Sequence, residues 1–188
     1  MKKRTPAMIV ILVFSIFCGT TSLAQTPVDT ALPGTQMVFF ERLKALCGTR
    51  FEGQSVFPED PGDAFRDQTL VAIIETCGDK EIRIPFLVGK DYSRTWVLTK
   101  TTAGLQLKHD HRHADGSPDE ITLYGGTATN PGSELSQAFP ADAYTAELIP
   151  EAASNEWILT LSADGSEMTY YLERHDEARF KASLQRMH

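Results

Sequence analysis

Three of the five histidines in the chain fall within the segment 105–113. On a β-strand alternate side chains share a face, so one face of this segment carries Leu105, Leu107, His109, His111 and His113. The two leucines indicate that this face is the inner one. Imidazoles two residues apart lie about 6.5–7 Å from each other at their Cα atoms, a spacing that can hold one zinc or copper ion. The pattern therefore makes this histidine strand a candidate metal site.

Other arrangements of these histidines fit the same sequence. His109 and His113 would lie about 13 Å apart at Cα, so the three rings could share one ion only if the strand bulged. A third ligand would then come from Asp115, Asp119 or a neighbouring strand. Alternatively, the histidines line a polar mouth and bond to carboxylates and backbone, or His109 alone lies inside, paired with an acid. We expect no cofactor, with zinc or copper as the alternative.

Aromatic and basic side chains on other predicted strands indicate a candidate ligand pocket. Trp96 and Trp157 have apolar neighbours and either pack in the core or form the wall of a cavity. Arg94 shares a face with Trp96, where it would meet an anionic ligand near the rim or pair with a carboxylate. A cavity of a few hundred Å³ lined by Trp96, Trp157 and Tyr170 would favour the binding of a small ligand.

Familiar catalytic patterns are missing from the chain. It contains no Gly-x-Ser-x-Gly, His-Glu-x-x-His, Walker or dinucleotide-binding pattern. Sites assembled from scattered strands would leave no such pattern, so the absence is weak evidence. We expect a non-enzymatic protein whose fold either binds a small ligand or packs solid, with a metal-binding or metal-dependent protein as the alternative.

Hydrophobic periodicity predicts one short helix followed mainly by strands. Apolar residues repeat with helical spacing over about residues 35–47, and Gly48 follows, where a left-handed cap is usually glycine. From residue 50 the period changes to two, most clearly at Ile82, Ile84 and Phe86. The predicted strands cover about 50–57, 69–77, 80–88, 94–101, 104–113, 119–125, 134–139, 154–162, 167–175 and 178–184.

The spacing of these strands decides the fold class. Roughly ten short strands with almost no helix between them exclude a parallel sheet with crossover helices. Tight turns such as Asp164-Gly165 join most of them, which brings sequence neighbours side by side, and closure would remove exposed edges. We predict an all-β antiparallel meander barrel with a short N-terminal helix; a β-sandwich is the alternative. A short helix starting at Pro140 is the expected interruption.

The segment Phe39-Phe40-Glu41-Arg42-Leu43-Lys44-Ala45-Leu46-Cys47-Gly48-Thr49-Arg50-Phe51-Glu52-Gly53 resembles the start of a calycin barrel. In lipocalins, fatty-acid-binding proteins and nitrobindin-like proteins, a short helix leads into a first strand that begins Gly-x-Trp or Gly-Thr-Trp. Here Arg50 stands in place of the tryptophan. The resemblance implies a barrel and an internal cavity, but not haem binding, because no segment matches the haem-ligand region of nitrobindin-like proteins. The Lys-His-Asp-His-Arg-His segment is also similar to one in small exported bacterial proteins of unassigned function.

The first 24 residues read as a secretory signal peptide. Lys2, Lys3 and Arg4 precede an apolar run over residues 8–17, and a small-residue cleavage pattern ends at Ala24. The apolar run is about half as long as a membrane-spanning helix needs. We therefore expect cleavage near Ala24, a periplasmic or secreted protein, and no membrane span after cleavage.

The rest of the chain reads as a linker, residues 25–34, and one barrel domain, residues 35–188. Cys47 and Cys77 remain after cleavage, and an even number of cysteines in an oxidising compartment favours a disulfide between them. The formal net charge is −7, and it becomes −10 without the three basic residues of the leader. That charge argues against nucleic acid as a partner.

Overall fold

The computed structural model of the protein describes residues 32–58 and 64–188. The expected signal peptide and most of the expected linker lie outside the described residues. Helix α1 (Gly34–Ala45) comes first, and α2 (Ala143–Leu148) precedes a turn of 3-10 helix (Pro150–Ala152). The short helix expected to start at Pro140 begins three residues later, because Pro140 ends a strand and Asp142 caps the helix. None of the helices in the described ranges is long and apolar enough to cross a membrane. The strands are β1 (Arg50–Phe57), β2 (Leu70–Ile73), β3 (Thr76–Cys77), β4 (Glu81–Val88), β5 (Asp91–Thr101), β6 (Gly104–His111), β7 (Tyr124–Thr127), β8 (Ser136–Pro140), β9 (Asn155–Leu161), β10 (Glu167–Arg174) and β11 (Glu177–Arg186).

Antiparallel strands form one sheet that curls into a nearly closed barrel. The order is β7-β6-β5-β4-β2-β1-β11-β10-β9-β8, and β3 pairs with β4 beside this path. The first and last strands are paired, with Phe51 opposite Arg186. Between β7 and β8, Gly126 and Ala141 form an isolated bridge. The predicted all-β meander barrel with a short N-terminal helix is confirmed.

Alternation along each strand places one face in a single core. On β4, Ile82 and Ile84 are fully buried, and on β6 the inward side chains are Leu105, Leu107 and His109. Full burial of a large apolar side chain is worth about 1.5–3 kcal/mol. A slip of one residue would expose this whole set, so the sequence pattern determines which side chains face the interior.

Helix α1 covers one end of the barrel. Phe39 and Leu43, on the same face of the helix, are fully buried in the core. Gln36, also buried, donates a hydrogen bond to the carbonyl of Asn130 at 2.9 Å and accepts one from the backbone N–H of Leu105 at 2.8 Å. The helix is thereby attached to the start of β6 and to the segment after β7, and the opposite end of the barrel is left for a site.

A disulfide joins the end of the helical segment to the barrel. Cys47, just after α1, is bonded to Cys77 in β3, 30 residues away. Gly48 follows with a φ of 82°, a conformation that costs glycine little, and turns the chain into β1. The predicted pairing of the two cysteines is confirmed.

The predicted strand 69–77 is divided into β2 and β3. At the break, the N–H of Ile74 donates to the carbonyl of Thr49, and the carbonyl of Ile74 accepts from the N–H of Gly48. These bonds attach Ile74 to the turn after α1 instead of extending β2. Alternation of residue types does not report such a break.

The predicted strand 119–125 overlaps β7 only at its last two residues, because a structured turn precedes it. The carboxylate of Asp119 accepts a hydrogen bond from the N–H of Ile121 at 2.9 Å. Leu123 adopts a left-handed φ of 58°, which a strand does not contain. The apolar residues of this segment are therefore largely part of a loop, where Ile121 and Leu123 are each 43% exposed.

Candidate functional site

A cavity of about 520 Å³ opens at the end of the barrel opposite α1. Its walls come from β4, β5, β6, β7, β9, β10 and β11, and Ile149 and Ala152, around the 3-10 helix, also line it. Small-molecule sites typically have volumes of about 300–1,000 Å³, so the cavity is of suitable size. The aromatic side chains that line it are Phe65, Phe86, Trp96, Tyr124, Trp157, Tyr170 and Phe180.

The cavity brings together the four residues predicted to bind a ligand. Arg94, Trp96, Trp157 and Tyr170 all line it. The ring of Trp96 is stacked on those of Phe86 and Tyr170, with centroids 4.3 Å and 4.5 Å from its own. Flat rings packed face to face form a wall that suits another flat apolar molecule. Ligand binding by these residues remains a prediction.

His109 forms a polar part of the cavity wall. Its Nδ1 lies 3.2 Å from the carbonyl oxygen of Tyr124, and its Nε2 lies 2.7 Å from the hydroxyl of Tyr170. Because a carbonyl oxygen can only accept, Nδ1 carries the proton of the neutral ring. Nε2 then accepts a hydrogen bond from the Tyr170 hydroxyl. Both ring nitrogens of His109 are therefore occupied by neutral partners.

Burial keeps His109, Tyr124 and Tyr170 of the cavity wall uncharged. Desolvation lowers the pKa of His109 to about 3, because the imidazolium ion would be removed from water. Desolvation also raises the pKa of Tyr124 to about 12 and raises the pKa of Tyr170 well above its usual value. At neutral pH these three side chains provide hydrogen bonds and ring faces but no charge.

The other two histidines of the predicted metal site lie progressively closer to solvent. His111 is half-buried, and its Nε2 lies 3.1 Å from the hydroxyl of Tyr124. His113 is exposed beyond the end of β6, with its Nδ1 4.0 Å from a carboxylate oxygen of Asp119. In residues 32–58 and 64–188 no group of three or more His, Cys, Asp or Glu could hold a metal ion. The zinc or copper alternative stays an untested prediction without geometric support from these side chains.

The acid beside His109 in the sequence faces outward. Asp110 is 3% exposed and accepts hydrogen bonds from Arg83 at 2.6 Å and from Arg112 at 2.8 Å. Burial works to raise the pKa of this carboxyl, but the bonds from Arg112 and Arg83 outweigh it and hold the pKa below its usual value. The partners of His109 are a carbonyl and a hydroxyl, so the alternative in which an acid pairs with it is wrong.

Three arginines supply the charge in the described lining of the cavity. Arg94 donates to Asp91 and lies 5.5 Å from the ring centroid of Phe65. Nε of Arg174 donates to the side-chain oxygen of Asn155 at 2.7 Å. Arg179, on β11, also lines the cavity and is exposed. Among the described residues that line the cavity there is no Asp or Glu.

Comparison of the chain with protein-family models, with curated proteins and with solved structures finds no match. The nearly closed antiparallel barrel fits a calycin-like fold in its architecture. Any functional argument therefore depends on the chemistry of the cavity.

Sequence reasoning missed several residues of the cavity wall. Arg174 shares the inner face of β10 with Tyr170 and Leu172, so the alternation that located Tyr170 could also have located it. Ile149 and Ala152 belong to the irregular segment after α2, where no periodicity indicates which side chains face the barrel. These two positions required the tertiary structure.

Proposed function

We propose that this protein binds a small, largely apolar molecule in the cavity at the open end of its barrel, without transforming it. The observation that carries the proposal is the aromatic wall built on Trp96, which is stacked on Phe86 and Tyr170. Aromatic pairs contribute about 0.5–1.5 kcal/mol each beyond the burial of their area. A ligand ring that packed against the aromatic lining would add a contribution of this kind.

The state of His109 supports binding rather than proton transfer. This side chain is the most deeply buried histidine of the site, and both of its nitrogens are engaged within the protein. A general base needs a free nitrogen within hydrogen-bond reach of its substrate and a pKa near the working pH. The low pKa of His109, about 3, removes it from that role.

The proposal extends to fold family and compartment. We propose a calycin-like barrel that is exported to the periplasm or secreted, as the leader-like first 24 residues indicate. The disulfide between Cys47 and Cys77 is in keeping with an oxidising compartment. The intact mass of the protein recovered from the periplasm of a Gram-negative host would test this: removal of residues 1–24 is expected, and an uncleaved cytoplasmic product would contradict it.

Binding can be tested with N-phenylnaphthylamine, a neutral apolar probe that fluoresces when it leaves water. The chain contains two tryptophans, Trp96 and Trp157, and both line the cavity. A probe in the cavity should therefore quench tryptophan emission while its own emission rises. Saturable binding to one site per chain is the expected result.

A matched pair of variants locates the probe. Leu172 lines the cavity, whereas its neighbour Tyr171 points to the other face of β10. Leu172→Trp should fill part of the cavity and weaken probe binding about tenfold or more, and Tyr171→Trp should leave the affinity unchanged. If both folded variants bind the probe as the parent does, or if the parent binds none, the proposed function is wrong.

A further inference from the structure

The charged residues in the described lining of the cavity are opposite in sign to the net charge of the chain. The whole sequence has 25 acidic and 18 basic residues. Nevertheless, Arg94, Arg174 and Arg179 line the cavity, and none of the described lining residues is acidic. A lining that followed the composition of the chain would carry net negative charge. The described lining of the cavity therefore carries net positive charge.

The arginines lie closer to solvent than the aromatic wall does. The side chain of Arg94 is 25% exposed, Arg174 is partly exposed and Arg179 is exposed, whereas Trp96 is 1% exposed. A molecule in the cavity would thus meet rings at its inner part and guanidinium groups at its outer part. This polarity suits an amphiphilic ligand with its charge at one end.

The guanidinium groups retain donors for such a charge. A guanidinium has five N–H bonds. Within the described part of the chain, Arg94 uses Nη1 on Asp91, and Arg174 uses Nε on Asn155. Their remaining N–H groups can donate to a carboxylate or sulfonate, and such charge-assisted hydrogen bonds are stronger than neutral ones.

We propose that the ligand is a flat aromatic molecule that carries one anionic group, with its rings against the aromatic lining of the cavity and its anion bound by Arg94, Arg174 and Arg179. This inference rests on the proposed function, since it specifies the ligand of the same cavity. A neutral apolar ligand would use the aromatic wall and form no charge-assisted hydrogen bond with the three guanidinium groups. A saturated fatty acid would use the charge and forgo the stacking.

Two fluorescent probes separate the charge of the ligand from its apolar body. N-phenylnaphthylamine is neutral, and anilinonaphthalene sulfonate has the same ring system with a sulfonate added. We expect the anionic probe to bind the parent protein about tenfold tighter or more, as one good charge-assisted hydrogen bond would provide. Its affinity should fall with added salt, while that of the neutral probe should not.

Charge-removing variants assign the effect to the cavity. Arg174→Gln and Arg179→Gln should each weaken the anionic probe about threefold to tenfold and leave the neutral probe within about twofold. Arg186→Gln is the matched control: it removes the same charge from an exposed residue of β11 that does not line the cavity. Arg94→Gln would remove contacts within the protein as well as charge, because Arg94 also contacts Asp91 and Phe65. It therefore assigns the effect less directly than the other two variants.

The outcomes distinguish the inference from the proposed function. If both probes bind equally well, or if the arginine variants weaken both to the same degree, the anionic ligand is excluded and the binding function stands. If neither probe binds, both proposals fail. Competition adds a test of shape: naphthoate should displace the anionic probe better than decanoate does, and the reverse order would overturn the flat aromatic ligand.

Discussion

The hydroxyl of Tyr170 donates a hydrogen bond to Nε2 of His109 across 2.7 Å, which links β10 to β6 through the interior of the barrel. The two residues are 61 positions apart in the chain, and their strands lie on different sides of the cavity. Nδ1 of the same imidazole bonds to the carbonyl of Tyr124 on β7. One neutral ring therefore ties three strands together beside the ligand cavity.

Loss of this bond should destabilise the protein. Tyr170→Phe leaves Nε2 of a buried imidazole without a partner, and such a group costs about 1–3 kcal/mol. The free energy of unfolding from urea titration should fall by that amount. Tyr171→Phe, on the other face of the same strand, should change it by less than about 0.5 kcal/mol. Equal effects of the two variants would contradict the role given to the Tyr170 hydroxyl.

His109 should make stability depend on pH in a defined window. Its pKa is about 3 in the folded protein and 6.5 in its ordinary state. Below pH 6.5 the unfolded chain takes up a proton that the folded protein does not, so stability is full above pH 6.5 and is lost as the pH falls toward about 3. The loss amounts to about 1.4 kcal/mol per pH unit.

A neutral replacement isolates this contribution from that of the carboxyl groups. His109→Gln does not titrate, so its free energy of unfolding should fall less steeply than that of the parent between about pH 6 and 4. The difference in slope should approach about 1.4 kcal/mol per pH unit. Parallel curves for the parent and the variant would show that His109 is not buried in its neutral form.

The sequence predicted this part of the structure unevenly. Alternation on β6 correctly placed Leu105, Leu107 and His109 on the inner face, because a half-buried strand exposes one face to solvent and the other to the core. The partner of His109 could not be found in the same way. Tyr170 meets it only because of how the sheet curves, and no local pattern carries that information.

The buried polar residues that support the fold could not be predicted from the sequence either. Gln36 in α1 is 1% exposed, although glutamine is mostly a surface residue. Its burial follows from the position of the helix at the end of the barrel, where backbone groups need partners. Local periodicity predicted that α1 exists but not which end of the barrel it covers.

Gln36 should matter more for stability than for the cavity. Gln36→Leu removes the acceptor for the N–H of Leu105 and the donor for the carbonyl of Asn130, and leaves both without that partner. We expect a loss of about 2–3 kcal/mol in the free energy of unfolding, with probe affinity within about twofold of the parent. Gln54→Leu, at an exposed position of β1, is the control and should change the free energy of unfolding by less than about 0.5 kcal/mol. If the free energy of unfolding of Gln36→Leu equalled that of the parent, the Gln36 side chain would not be what holds the helix.

The seam between β7 and β8 explains why two glycines, Gly125 and Gly126, occupy the middle of β7. The hydroxyl of Thr145 donates to the carbonyl of Gly125 and accepts from its N–H, each at 2.7 Å, and the N–H of Asp142 donates to the same carbonyl at 3.0 Å. A Cβ atom on Gly126 would overlap the carbonyl oxygen of Pro140, which is backbone and cannot rotate away. Close approach of two backbones is therefore what closes the barrel here.

Gly126→Ala should open this seam. The methyl group must push β7 away from the end of β8, and such overpacking costs about 1–3 kcal/mol. The urea midpoint should fall accordingly, and amide exchange should become faster in β7 and β8 than in β1 and β11, which are paired along their length. Gly34→Ala is the matched control, because no atom lies within 4 Å of an added Cβ there. A Gly126→Ala protein as stable as Gly34→Ala, with unchanged exchange at the seam, would mean that β7 and β8 are not in contact and that the barrel is open.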